Sequence, residues 1–266
     1  MGTHISEGAE RLPACWHDPP ASLALSRDEA HVWRVPLDVP PEIVAGLLRL
    51  LSADEQARAE RFLAEDASRR FVASHGALRL ILARYLEKEP ERLRFLVDER
   101  GKPHLDLPAG TPALRFSLSH SGDLALCAVA DGRDVGVDLE RIHPVSAWRE
   151  IVARYFSPDE QQALRALSGD RALEAFFHGW TRKEAYSKAL GDGVSQAWTQ
   201  FSVSPAPGAG SELAAARPGV GQGGHFTLCP LDPAPGYVAA VAAQGSGWSL
   251  HCLHWSWAAE DVARLA

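Results

Sequence analysis

The apolar positions of the chain follow a helical period in one region and an extended period in the next. Helical periodicity first predicts three consecutive helices, over residues 41–51, 53–63 and 67–87. Ser52 followed by Glu55 is a capping-box pattern, which marks the start of the second of these helices.

Extended patterns predict strands on both sides of these helices. The strands are expected at 31–37, 93–97, 103–106, 114–119, 124–130 and 135–139. Tight turns that contain glycine separate the last three, and the second of these turns carries an Asp-Gly pair. These three strands are therefore predicted to form an antiparallel meander.

Helices followed by strands are predicted again in the C-terminal half. One helix is expected to begin at Ser157, with Pro158 at its first position, and a longer one to run from about Asp170 to Gly191. Further strands are expected at 201–203, 226–231, 237–243 and 248–255. The Gly-, Ala- and Pro-rich residues 205–224 predict a loop.

A long helix followed by a small antiparallel sheet thus occurs twice, although no residue-level repeat accompanies it. We therefore predict an α+β fold of two similar lobes that form a pseudo-dimer within one chain. The N-terminal lobe would span residues 1–140, with an irregular first 30 residues, and the C-terminal lobe residues 141–266. The functional site is expected at the lobe junction, where concave pockets usually form.

Composition limits the possible partners. The chain is 46% hydrophobic and 23% charged, with a net charge of −7, so general attraction to nucleic acid or to an anionic membrane is not expected. Any anion site must be a local group of basic residues. No apolar run approaches the length of a membrane span, and Met1–Glu7 lacks the features of a signal peptide.

The four cysteines are scattered and show no C-x-x-C spacing. They are Cys15, Cys127, Cys229 and Cys252. This usage predicts reduced, mostly buried thiols with no zinc site, in a cytoplasmic protein.

The most informative segment is residues 180–188. Trp180, Glu184 and Lys188 lie at i, i+4 and i+8 on one helix face, and Lys183 is expected beside them. A carboxylate one turn from an ammonium suits a site where a hydroxyl loses a proton beside a phosphate. Taken alone, such a pair is more often an ordinary surface ion pair.

A pair of carboxylates in a predicted strand points to a metal. Asp138 and Glu140 are two residues apart and therefore share a face, with Val137 and Leu139 packed behind. Two close carboxylates need a cation or a shared proton, and oxygen ligands favour Mg²⁺. Glu184 is the natural third donor. In isolation, such a pair more often belongs to a solvated edge strand.

Small hydroxyl residues and basic residues suggest a phosphate site. Ser119 and His120 lie at the end of a strand before Gly122, where exposed backbone N–H groups would allow a phosphate to approach. Positive charge is added by Arg58, Arg61, Arg69, Arg70, Arg79, Arg100 and Lys102. The alternative is a solvated surface, because acidic residues alternate with the arginines of the helices.

Taken together, these segments resemble the surfactin-type (Sfp-type) 4′-phosphopantetheinyl transferases. The matching segments are Gly-Lys-Pro at 101–103, Phe-Ser-Leu-Ser-His-Ser at 116–121, Gly-Val-Asp-Leu-Glu at 136–140 and Trp-Thr-Arg-Lys-Glu-Ala-Tyr-Ser-Lys at 180–188. Arg-Ala-Glu-Arg-Phe at 58–62 and the Arg70 and Arg79 pair also match. Each motif alone is weak, but their order and spacing agree from about residue 52 to 203.

The resemblance implies a holo-carrier-protein synthase activity. Such an enzyme transfers 4′-phosphopantetheine from coenzyme A to a serine of an apo acyl or peptidyl carrier protein, requires Mg²⁺ and releases 3′,5′-ADP. The implied partners are carrier domains of fatty-acid, polyketide or nonribosomal peptide synthases, as in secondary metabolite biosynthesis. Two lobes in one chain would complete the site, so we expect a monomer.

The resemblance also implies a role for each matching residue. Asp138, Glu140 and Glu184 would hold Mg²⁺ on the pyrophosphate, with Glu184 also the candidate base and Lys188 a pyrophosphate contact. The phosphates, chiefly the 3′-phosphate, would be held by His120, Arg58, Arg61 and Arg70. Lys102 and Ser119 would line the coenzyme A site.

Two alternatives use the same residues. A metal-dependent hydrolase would pass the phosphoryl group to water and release 3′,5′-ADP without a carrier protein. A non-catalytic module would only bind coenzyme A or a carrier protein. Such a module would not need both metal ligands and a base, so the residue set favours an enzyme.

Overall fold

The computed structural model describes residues 3–4, 16–108, 111, 113–193, 196–206 and 225–257. Most of the loop predicted at 205–224 lies outside the described residues, and so does Cys15. The cysteines at 127, 229 and 252 are buried, as predicted.

Six helices occur in the part of the chain that the structure describes. They are α1 (Pro41–Leu50), α2 (Ala53–Glu60), α3 (Glu65–Leu86), α4 (Trp148–Tyr155), α5 (Pro158–Arg165) and α6 (Gly169–Leu190). The predicted capping box is present at α2, where Ser52 Oγ accepts from Glu55 N–H and the Glu55 carboxylate accepts from Ser52 N–H. Gly191 ends α6 in the left-handed conformation, as expected of a helix terminated by glycine.

No helix in the described ranges combines the length and apolar character that crossing a membrane would require.

The strands form two main sheets and one short hairpin. Their bounds are β1 (Thr3–His4), β2 (Trp16–His17), β3 (Glu29–Pro36), β4 (Phe95–Val97), β5 (Pro103–Leu105), β6 (Leu114–Ser121), β7 (Leu124–Asp131), β8 (Val135–Arg141), β9 (Phe226–Leu231), β10 (Tyr237–Gln244) and β11 (Ser249–His254). The larger sheet has the order β1-β11-β3-β7-β6, with β2 paired to β11, and the smaller sheet has the order β8-β10-β9. Strands β4 and β5 form the hairpin.

The predicted meander is wrong in its third strand. β6 and β7 pair as expected, but β8 pairs with β10 instead of β7. The hairpin signal at residues 131–134 identified the turn, yet the chain leaves one sheet there and enters the other. Residues 201–203 are also described and do not form the predicted strand.

The sheets lie face to face between two long helices. Trp33 and Cys127 face α3 from the larger sheet and share a core with Phe71, whereas Leu126 faces the smaller sheet and packs with Val137. Helix α6 covers the outer face of the smaller sheet. The predicted α+β class is therefore confirmed, with the layers in the order helix, sheet, sheet, helix.

The strand pairing crosses the predicted boundary between residues 140 and 141. β8 belongs to the sheet otherwise built from the C-terminal half, and β11 pairs in parallel with β3 of the N-terminal half. The division into two lobes and their pseudo-dimer relation stay predictions.

Gly136 allows α6 to lie directly against β8. A Cβ at this position would overlap Ala185 O and Ala189 N and would lie 2.9 Å from Lys188 C. These are backbone atoms, which cannot move aside as a flexible side chain could. The absence of a side chain at 136 therefore sets the distance between the strand and the helix.

We expect Gly136→Ala to destabilise the fold by about 3 kcal/mol, because helix α6 must move away from β8. Urea unfolding would measure this. The matched control is Gly132→Ala, where a Cβ meets nothing within 4 Å and the cost is only that of the positive φ of 67°, about 1–2 kcal/mol. Equal losses in the two variants would show that the close approach carries no stability.

Candidate active site

Three serine hydroxyls join the edges of the two sheets. Ser117 Oγ accepts from Val137 N–H at 3.1 Å, and Ser121 Oγ accepts from Arg141 N–H at 3.1 Å. These serines alternate along β6 and therefore share the side that faces β8. Serine hydroxyls of residues 117–121 thus connect β6 to β8 in the place where backbone hydrogen bonds would join two strands of one sheet.

The serine between them belongs to a polar triad. Ser119 Oγ donates to Asp138 Oδ1 at 2.9 Å and accepts from Lys188 Nζ at 3.0 Å. Lys188 Nζ also lies 2.6 Å from Asp138 Oδ1. One residue each from β6, β8 and α6 therefore meet at a single point at the junction of the two sheets.

Asp138 and Glu140 share the face of β8 that Gly136 also occupies, as the period of two predicts. Asp138 is buried, and its Oδ2 has no hydrogen-bond partner among the described residues. Glu140 accepts from Ser121 Oγ at 3.0 Å. Val137 and Leu139 point the other way, into the core between the sheets.

The carboxylates of this site hold more negative charge than one lysine balances. The pKa of Glu184 is raised to about 7, by burial first and then by the charges of Asp138 and, more weakly, Glu140, with Lys188 opposing the shift. The pKa of Glu140 is also raised, by burial first and by Asp138 second. A proton or a cation is needed to offset this charge.

Oxygen donors alone suit Mg²⁺, and the unpartnered Asp138 Oδ2 is an available ligand atom. Within the described ranges, however, the oxygens of Asp138, Glu140 and Glu184 do not all come within 4.8 Å of one another. Direct binding of all three to one ion would require a rotamer change, and otherwise at least one would bind through water. The residues present therefore fit a hydrated Mg²⁺ better than a closed cage.

His120 lies where several positive charges meet. Burial lowers its pKa, and so do Lys188, Arg58 and Arg70. Arg58 lies over the Phe71 ring, with its guanidinium carbon 5.2 Å from the ring centroid. Arg70 Nη2 is 2.6 Å from Asp123 Oδ1 in a half-exposed ion pair, which an anion could replace at low cost.

The remaining predicted contacts lie further from this point. Arg61 is exposed at the C-terminal cap of α2 and is not among the charges that act on His120. Lys102 Nζ donates to Ala189 O at 2.6 Å, next to Lys188, and lies on a neighbouring cavity of about 310 Å³. Burial lowers the pKa of Lys102 more than Asp134 raises it.

The expectation that Lys183 lies beside Glu184 and Lys188 is wrong. Its side chain is fully buried on the other side of α6, 3.0 Å from Glu160 Oε2. Lys183 also donates to two backbone carbonyls, those of Trp198 and Phe201. Trp180 is half-buried and packs against aromatic rings, including Trp198.

Arg79, like Lys183, has a structural role and lies outside the candidate active site. It is buried, forms an ion pair of 2.6 Å with Glu55 and donates to the carbonyls of Pro90 and Leu93. Its charge is satisfied within the N-terminal helices and is therefore not available to a phosphate.

Sequence reasoning missed Gly136 and Tyr237. An isolated glycine in a strand pattern signals a close backbone approach, so Gly136 could have been found. Tyr237 gave no such signal. Its hydroxyl accepts from Asp123 N–H at 3.1 Å and would lie 2.6 Å from a Cβ at Gly122, whose φ is +57°. The turn after His120 is therefore held by a residue from β10.

Known protein families match two parts of the chain. Residues 134–242 match the family described as the 4′-phosphopantetheinyl transferase superfamily, and residues 41–131 match 4′-phosphopantetheinyl transferase, N-terminal. The chain is 40% identical over 245 residues to 4′-phosphopantetheinyl transferase HetI of Nostoc sp. (strain PCC 7120). The aligned region covers 92% of this chain and all of that protein.

Two further relatives match over a shorter region. 4′-phosphopantetheinyl transferase AcpT of Salmonella typhi is 40% identical over 61% of this chain and 79% of its own length. 4′-phosphopantetheinyl transferase Sfp of Bacillus subtilis (strain 168) is 31% identical over 59% of this chain and 67% of its own. The chain therefore belongs to the 4′-phosphopantetheinyl transferase family, as the four sequence segments predicted.

Proposed function

We propose that this enzyme transfers 4′-phosphopantetheine from coenzyme A to a serine of an apo acyl or peptidyl carrier protein, with Mg²⁺, and releases 3′,5′-ADP. The observation that carries the proposal is the meeting of Lys188, Asp138 and Ser119. These three residues lie between carboxylates in excess on one side and cations on the other. A site with charges separated in this way suits a metal-bound pyrophosphate whose outer phosphates need basic partners.

Asp138, Glu140 and Glu184 would hold the Mg²⁺. When bound, the ion would offset charge on the pyrophosphate oxygens and stabilise the leaving group. Lys188 adds a positive charge at the same place, and its side chain is 30% exposed. Lys188 can therefore contact a bound phosphate without a change in the surrounding structure.

Binding of the outer phosphates is assigned to the cations around His120. Arg58 and Arg70 both lower the pKa of His120, so their positive charges would add to the attraction of a dianionic 3′-phosphate to this histidine. Arg61 would reach the ligand only from the exposed rim. Ser119 and Lys102 would line the rest of the coenzyme A site.

Glu184 is proposed as the base. Without bound metal the pKa of Glu184 is about 7, which makes this carboxylate basic enough to accept a proton at neutral pH. Direct contact with Mg²⁺ would lower this pKa, so the role of base requires that Glu184 bind the ion through water. The serine oxygen forms a bond to the phosphorus, its proton passes to Glu184, and the P–O bond to 3′,5′-ADP breaks. Lys188 and the phosphate-binding cations position the reacting groups.

The acceptor would be a carrier domain of a fatty-acid, polyketide or nonribosomal peptide synthase. Because the chain has a net charge of −7, docking of an acidic carrier would depend on a local basic or apolar patch. The monomeric state and the cytoplasmic location predicted from the sequence belong to this proposal.

A first prediction concerns the reaction itself. Apo carrier proteins incubated with the enzyme, coenzyme A and Mg²⁺ should gain the mass of one phosphopantetheine group, measured by intact mass spectrometry. EDTA should abolish the gain because the carboxylates would lose their counter-ion. Release of 3′,5′-ADP without a carrier protein would favour the hydrolase, and coenzyme A binding with no product would favour the binding module.

A second prediction concerns Glu184. Glu184→Gln should lower the transfer rate at least about 100-fold, since the base is lost, while calorimetry should still detect coenzyme A binding. The matched control is Glu174→Gln, an exposed carboxylate on the same helix, which should leave both unchanged. Near-normal turnover of the Glu184 variant would remove this residue from both the metal and the base roles.

A third prediction separates the two lysines of α6. Lys188→Met should abolish transfer in protein that is fully folded. Lys183→Met should instead destabilise the fold by about 3–5 kcal/mol, because Glu160 is left as an uncompensated buried charge. Thermal unfolding and transfer assays below the melting temperature would measure both effects.

The double variant Lys183→Met/Glu160→Gln is the control for this comparison. It should recover part of the lost stability, because no buried charge then lacks a partner. If the folded fraction of Lys183→Met were as inactive as Lys188→Met, Lys183 would belong to the active site after all.

A further inference from the structure

A second group of potential ligands lies at the pairing of β3 and β11. Glu29, His31 and His251 each offer a ligand atom, and these atoms all lie within 4.8 Å of one another. In the parallel register, His31 is directly opposite His251, and Glu29 is opposite Ser249. Among the described residues, no other group of three such side chains has its ligand atoms this close together.

The distances suit a metal better than they suit hydrogen bonds. His31 Nε2 is 3.6 Å from Glu29 Oε2, and His251 Nε2 is 3.5 Å from Glu29 Oε1. A hydrogen bond requires a shorter separation. Ligands bound to one Zn²⁺ at 2.0–2.1 Å in tetrahedral geometry are about 3.3 Å apart. A small inward movement of these three side chains would therefore form a three-ligand site.

The surroundings of His31 also favour metal binding. The His31 side chain is 6% exposed and packs within the core. Its Nδ1 lies 2.7 Å from the Tyr85 hydroxyl, which also accepts from Trp33 Nε1 at 2.8 Å. With a metal at Nε2, the ring proton would lie on Nδ1, and the Tyr85 hydroxyl would accept it; a hydrogen-bonded second ring nitrogen is usual in metal-bound histidine.

We propose that Glu29, His31 and His251 form a Zn²⁺ site separate from the carboxylates of Asp138, Glu140 and Glu184. Two histidines and one glutamate are a ligand set known for Zn²⁺, and the imidazoles favour Zn²⁺ over Mg²⁺. The site uses no cysteine. Glu29 and His251 remain 29% and 25% exposed, which allows the ion to enter and leaves a position for water.

The position of the site indicates a structural role. Strand β11 comes from the C-terminal part of the chain and pairs with β3 near the other end. An ion bound by both strands would stabilise this pairing, because binding to the folded state alone shifts the unfolding equilibrium. Bound Zn²⁺ should therefore raise the melting temperature without taking part in phosphoryl transfer.

Zinc titration of the metal-free protein, in excess Mg²⁺, would test the site. One equivalent of Zn²⁺ should bind and raise the melting temperature, and Co²⁺ in its place should show the strong visible absorption of a low-symmetry site. His251→Gln and Glu29→Gln should each weaken Zn²⁺ binding at least about 100-fold, since loss of an outer partner alone costs 10–100-fold. Both positions are partly exposed, so these variants should fold.

Two control variants separate this site from other ligands. His254→Gln changes another histidine of β11, one that contacts Arg34 on the opposite face, and should bind Zn²⁺ normally. Asp138→Asn removes a carboxylate of the candidate active site and should also bind normally. Zinc affinity unchanged in His251→Gln and Glu29→Gln, or no zinc binding by the unaltered protein, would overturn the proposal.

Discussion

The contact between helix α6 and strand β8 at Gly136 is the constraint on which the site depends. No side chain separates the two backbones, so residues of the helix and residues of the strand reach the same point. Lys188 and Asp138 then meet at 2.6 Å. Alternating serines hold the edge of β6 against the same strand and bring Ser119 to this pair. The contacts of β8 with α6 and with β6 thus bring together groups from three different elements.

Two kinds of buried charge can be distinguished among the described residues. Lys183 with Glu160, and Arg79 with Glu55, are matched pairs whose remaining polar atoms bond to backbone groups, so their contribution is to the fold. The carboxylates around Glu184 are different, because burial and mutual repulsion raise the pKa of Glu184 to about 7. A fold that tolerates this repulsion gains a place where a cation and a phosphate are favoured. Unmatched charge, more than burial itself, distinguishes the candidate active site.

Local patterns predicted most of the elements correctly. The capping box at Ser52 and the terminal Gly191 are interactions within a few residues, so they could be recognised without knowledge of the fold. The common face of Asp138 and Glu140 follows in the same way from the alternation of a strand. Lys183 shows the limit of this reasoning. Its position on the helix was correct, but the side of the helix that is buried depends on what packs there, and Glu160 lies on a different helix.

The sequence by itself determined the family and the class of the fold and predicted the residue types of the candidate site, because motifs, spacing and periodicity are local properties. Only the tertiary structure decided which sheet contains β8, since a hairpin signal describes a turn and not the partner that a strand finds. It also decided that Arg79 is structural and that Tyr237 supports the turn after His120. The pairing of β3 with β11, and with it the Glu29, His31 and His251 cluster, joins residues more than 200 positions apart, and no local pattern records such a contact.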